Sequence, residues 1–123
     1  MQSVSEWSLP IERGGVKSTV GEYSISSIGP GPRAQRHWKL ARERGLKTIA
    51  KIQAGCTWEL SAVPYIPAVA NVAKHAENLR SADISGLMLG WTLGGYPSPN
   101  LEVVAETLAG GSGDAAMLRV AER

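Results

Sequence analysis

Three stretches of this chain repeat one order of parts: a short apolar strand, a loop of Gly, Pro and aromatic residues, then an amphipathic helix. They are Tyr23–Ile28 with Gly29-Pro30-Gly31-Pro32, Thr48–Gln53 with Cys56-Thr57-Trp58-Glu59, and Gly86–Thr92 with Gly94-Gly95-Tyr96-Pro97. A strand that leads into a crossover helix pairs in parallel with the next strand, so the pattern predicts an α/β fold with a parallel sheet. Right-handed crossovers make the strands sequential neighbours. In such sheets the chemistry gathers in the loops leaving the carboxyl ends of the strands. Here those loops are rich in Trp, Tyr, Pro and Gly, which suits a sugar-binding rim.

Length limits what the repeats can build. A chain of 123 residues supports one domain with a modest core. A closed (β/α)8 barrel takes roughly 250 residues, so about three βα units make only a partial barrel. Hydrophobic residues are 43% and charged residues 20%, an ordinary globular composition. Thirteen basic against 11 acidic residues give a net charge of +2, too weak a balance to imply nucleic acid. Cys56 is the single cysteine, so no internal disulfide forms. The amino-terminal residues lack a basic segment followed by an apolar one, and no apolar run approaches the ~20 residues of a membrane span. The expectation is a cytoplasmic protein with no membrane partner and no cofactor.

Residues 1–20 show no sustained period and read as a loosely ordered lead-in, leaving 21–123 as the partial barrel unit. From Arg33 to Arg44 the residues Ala34, Trp38, Ala41 and Gly45 form one narrow stripe at helical spacing, with Pro32 suited to the first turn and Gly45 to the stop. Pro67 opens a second helix, with Val69, Val72, Ala73, Ala76 and Leu79 on one face and Asn71, Lys74, His75 and Asn78 on the other. The strand Gly86–Thr92 is apolar enough to be buried on both faces. Asn100 is placed to cap a third helix through Leu101, Val104, Ala105 and Leu108. Asp114–Arg123 fits a short terminal helix capped by Asp114, or a frayed end.

Glu59 beside Trp58, just past the second strand, suits glycoside chemistry. An indole packs on a pyranose face and a carboxylate serves as nucleophile, acid or base. Cleavage needs two carboxyl groups, about 5–5.5 Å apart for retention or 6.5–9.5 Å for inversion, and one candidate is evident. The plainer reading has Glu59 capping amides or pairing with an arginine. Trp91 ends the third strand, where it serves equally as core or as the floor of a binding site, and Tyr96 follows at the rim. Lys51 and Gln53 alternate with Ile52 and face either a polar lumen, as substrate-binding groups, or water on an edge strand that Lys51 guards. Arg33, Arg36, Lys39, Arg42, Arg44 and Lys47 surround one helix, as a solvated surface rather than a nucleic-acid footprint. His37 and His75 lie on polar helix faces without the spacing of a metal site, Cys56 has no local base, and Ser24, Ser26 and Ser27 lack a nucleophile-elbow context.

The strings Ser26–Pro32, Thr57–Tyr65 and Gly90–Asn100 resemble the last third of bacterial (β/α)8-barrel glycoside hydrolases, over roughly residues 10–110. The resemblance implies that the three strands are the sixth, seventh and eighth of a barrel. Glu59 then matches the nucleophile that follows the seventh strand in many retaining enzymes, and Trp91 matches the tryptophan that floors the sugar pocket. The acid/base carboxylate of such enzymes follows the fourth strand, which has no counterpart here. The expectation is a carbohydrate-binding fragment of a glycoside hydrolase, inactive alone. Its partners are a missing barrel half or further copies of itself. The alternatives are a non-catalytic carbohydrate-binding module and a structural half-barrel remnant that oligomerises.

Overall fold

The computed structural model describes residues 1–21, 23–55, 66–90 and 97–123. Their elements run β1 (Gln2–Val4), β2 (Pro10–Arg13), β3 (Val16–Thr19), α1 (Pro32–Glu43), β4 (Ile49–Lys51), α2 (Val69–Ser81), β5 (Gly86–Met88), α3 (Pro99–Leu108) and α4 (Gly113–Ala121). Strands β1, β4 and β5 form one sheet in that order, parallel throughout, with Ser3 opposite Ala50 and Ala50 opposite Leu87. Strands β2 and β3 pair only with each other, as an antiparallel hairpin.

The parallel sheet is the one the repeats imply, but its first strand lies elsewhere. Tyr23–Ile28 forms a turn-containing loop, and β1 from the supposed lead-in takes the first place in the sheet. Serine chemistry explains the exchange. Ser27 N–H donates to Ser24 O at 3.2 Å, while the hydroxyls of Ser24 and Ser26 sit 2.8 Å apart. Local bonds of this kind compete with a ladder and favour turns. Residues 1–20 therefore hold three strands, of which β2 and β3 are largely exposed.

The helices cover one face of the sheet. Ala50, Ile52 and Ala54 alternate along β4 and its exit, and all three join a core with Trp38 of α1, Val72, Ala76 and Leu79 of α2, Val103 and Val104 of α3, and Ala116 of α4. The intervening positions point the other way. Ile49 and Met88 on that second face are 37% and 40% exposed, so the expectation of a third strand buried on both faces is corrected. A doubly wound sheet would carry helices on both sides.

Helix α1 follows its sequence pattern. Ala34, Trp38 and Ala41 are buried, Pro32 starts the first turn, and Gly45 ends the helix at φ +69°. Gly31 offers no capping side chain, and Ser8 Oγ accepts the Arg33 N–H from outside the helix at 3.1 Å. The Trp38 indole donates to Ile49 O at 3.1 Å, which fixes α1 to β4. Helix α3 is capped by Ser98, whose side chain accepts from Leu101 N–H, and α4 is capped by Ser112. The expected caps, Asn100 and Asp114, lie inside the first turns instead.

Candidate functional site

All three parallel strands end at one rim. Register pairs Val4 with Lys51 and Lys51 with Met88, and the ladder continues past them through Ser5 N–H to Lys51 O at 2.9 Å and Ile52 N–H to Met88 O at 2.9 Å. Glu6, Gln53 and Gly90 are therefore the next members of the face opposite the described helices. Two segments named by the sequence begin directly after this rim, one following Gly55 and the other following Gly90. Trp58, Glu59, Trp91 and Tyr96 all fall in those segments and lie outside the described residues.

Lys51 and Gln53 are described, and the edge-strand account of them is corrected. Strand β4 is the central strand, and Lys51 and Gln53 are 4% and 2% exposed. The Lys51 ammonium stands 4.8 Å from the centroid of the Tyr23 ring, a cation–π contact from the loop that replaced the expected strand. Glu6, at the exit of β1, is 1% exposed, and its Oε1 accepts the Gln53 N–H at 3.1 Å. A parallel ladder would have given that N–H to Ser5 O. Ser5 O instead accepts from Gly31 N–H at 2.7 Å, so the Glu6 side chain takes over where the strand stops.

On the helix side of β1 the alternate residues Ser3 and Ser5 each meet a histidine. Ser3 Oγ is 3.0 Å from His37 Nδ1 on α1, and Ser5 Oγ is 2.6 Å from His75 Nε2 on α2. The sequence pattern puts His75 on a polar helix face, yet it is buried, and burial pushes its pKa down to about 4. Its neighbours on that face are engaged as well. Asn78 donates to Gly29 O at 2.9 Å and Asn71 to Ile25 O at 3.5 Å. The loop 23–31 lies across this flank of α2, and its carbonyls require donors there. Only Lys74 of the four faces water, in an ion pair with Glu77 at 2.8 Å.

Glu6 and Trp7 matter at the rim, although neither belongs to a periodic stretch of the sequence. Trp7 follows Glu6, and the Arg33 guanidinium lies 3.8 Å from its ring centroid. The adjacent carboxylate and indole of Glu6-Trp7 mirror Trp58-Glu59, a signal present in the sequence. Asn100 is fully buried. It donates to Ala54 O at 3.4 Å and Ile66 O at 2.7 Å, and accepts from Ala68 N–H at 3.1 Å.

Among the described residues no cluster of His, Cys, Asp and Glu has the makings of a metal site, and no helix is long and apolar enough to cross a membrane. A depression lined by Leu79, Arg80, Ile84, Leu87 and Leu108 opens near the amino end of β5, away from the rim. Comparison with protein-family models, curated proteins and solved structures finds no match for this chain.

Proposed function

We propose that this chain is the carboxyl-terminal part of a (β/α)8 barrel from a carbohydrate-active protein, and that it helps bind or hydrolyse a glycoside. The observation that carries this reading is a parallel sheet with helices, among the described residues, on one face only, whose carboxyl rim gathers Glu6, Lys51 and Gln53 and feeds both aromatic segments. One-sided helix cover is what a barrel requires, because its other face lines the interior. Strands β1, β4 and β5 take the sixth, seventh and eighth places. Trp58 and Trp91 stack on the sugar, Glu59 acts as nucleophile or hydrogen-bonding anchor, and Tyr96 closes the rim. The strand edges at β1 and β5, on the sheet face that exposes Ile49 and Met88, are where the remaining barrel units or another copy pair.

For the chain by itself, binding without turnover is the stronger form of the reading. Hydrolysis takes two carboxyl groups. Glu6, the acidic side chain at a strand exit among the described residues, is buried and engaged with a backbone amide.

A printed array of neutral oligosaccharides tests the proposal. Wild-type protein should be captured, the Trp58→Ala and Trp91→Ala variants should each lose roughly ten-fold or more in affinity, and Glu59→Gln should still bind. No capture by wild type, or equal capture by both alanine variants, would remove the sugar from the account.

A further inference from the structure

We infer that Asn100, supported by Glu6, is a positioning residue that holds closed the stem of the segment carrying Trp58 and Glu59. The role in sugar recognition rests on the proposed function, whereas the stem itself is a matter of hydrogen bonds.

Three observations converge. First, the Asn100 carboxamide is fully buried, and each of its three bonds goes to the backbone. Second, those backbone groups are not on its own helix: Ala54 stands just before residues 55–65, while Ile66 and Ala68 stand just after. One side chain thus ties together the two ends of one segment, the donor pair on Ala54 O and Ile66 O and the acceptor on Ala68 N–H. Third, Gln53, one residue upstream of Ala54, is fixed by the carboxylate of Glu6 at 3.1 Å. Asn100 also lies in the first turn of α3, shortly after the segment that holds Trp91 and Tyr96. It therefore links the exits of β4 and β5, after which Trp58, Glu59 and Trp91 follow in the sequence.

Helix capping does not explain Asn100, because Ser98 already fills that role with its own side chain. The chemistry of the amide is the point. Only a group with both donors and an acceptor satisfies two carbonyls and one N–H together. Aspartate has the same shape and suits the first turn of a helix even better, since negative charge there is favoured by the helix dipole. It has no N–H to give, however, and would set a carboxylate against two carbonyl oxygens. The two roles therefore predict opposite results for one substitution.

The test is the ¹H–¹⁵N spectrum of the free protein, with no sugar present. Asn100→Asp should shift or broaden the signals of Gly55, Ile66 and the Trp58 indole. The Trp38 indole, bonded to Ile49 O in the core, should stay in place as the reporter of an intact fold. Ser98→Ala should leave the residue 55–66 signals unchanged. Glu6→Ala should speed exchange of the Gln53 amide on the order of 10- to 100-fold, and Glu6→Gln, which keeps an accepting oxygen, should restore it. Unmoved signals from residues 55–66 in Asn100→Asp would overturn the inference. So would a Gln53 amide as fast in Glu6→Gln as in Glu6→Ala. If Glu6→Ala does not fold, a folded Glu6→Gln with a protected Gln53 amide supports the clamp, and an unfolded one overturns it. Because no ligand is involved, a failure on the sugar array would sink the glycoside reading and leave this result standing.

Discussion

Acid should destabilise this protein through His75 as pH falls below about 6.5. The imidazole is buried against Ser5, and burial lowers its pKa from 6.5 to about 4. Desolvation alone accounts for the shift, with no charged group opposing or adding to it. The unfolded chain therefore takes up a proton at His75 near pH 6.5, while the folded chain resists until about pH 4. Stability is complete above pH 6.5 and is lost as pH falls through that window. One unit of pKa is worth about 1.4 kcal/mol, so the loss reaches about 2 kcal/mol at pH 5 and about 3 kcal/mol at pH 4. Glu77 and Glu106 have carboxyls held below the usual range by Lys74 and Arg119, so the stability they add is present above that range and is lost only as pH falls below it. Urea unfolding followed by circular dichroism from pH 7.5 to 4.5 measures the slope. A His75→Gln variant supplies the baseline, since glutamine can still meet Ser5 but does not titrate. Wild type should lose about 2 kcal/mol relative to His75→Gln between pH 7 and 5. Parallel curves for the two proteins would refute the burial argument.

Two further substitutions test the packing that carries the rim. A Cβ at Gly31 would run into the backbone carbonyl of Trp7, so Gly31→Ala should cost roughly 1–3 kcal/mol in urea unfolding, unlike Gly21→Ala, whose Cβ meets open space. Trp38→Ala removes a 1% exposed indole and its bond to Ile49 O, and should cost about 3–5 kcal/mol in the same assay, enough to unfold a marginal domain.

The parts legible in the sequence were those governed by local period. Ala34, Trp38 and Ala41 fall at helical spacing between Pro32 and Gly45, and nothing else competes for them, so α1 stands where its pattern puts it. The parallel order of the sheet follows from the same logic. What escaped depended on distant partners. Strand β1 is three residues long, and the helix-facing positions in it and at its exit are Ser3 and Ser5, so it shows no apolar alternation. Those serines make sense only once His37 and His75 approach them from two helices. The face of α2 with Asn71, His75 and Asn78 is polar, as a solvated surface is, yet the loop 23–31 lies upon it and uses its donors. Asn100 has the composition of a cap and the position of a clamp. Lys51 looked like an edge guard because a lysine in a strand is ordinarily wet, whereas central placement buries it beneath Tyr23.

Chemical-shift mapping with an oligosaccharide captured on the array is the most direct measurement of where this protein binds. Ligand should move the amides of Glu6, Lys51, Gln53, Gly55 and Gly90 together, at the shared carboxyl rim of β1, β4 and β5. Shifts confined to Leu79, Ile84 and Leu108 at the opposite end of the sheet, or scattered over α1, would contradict a carbohydrate site at that rim.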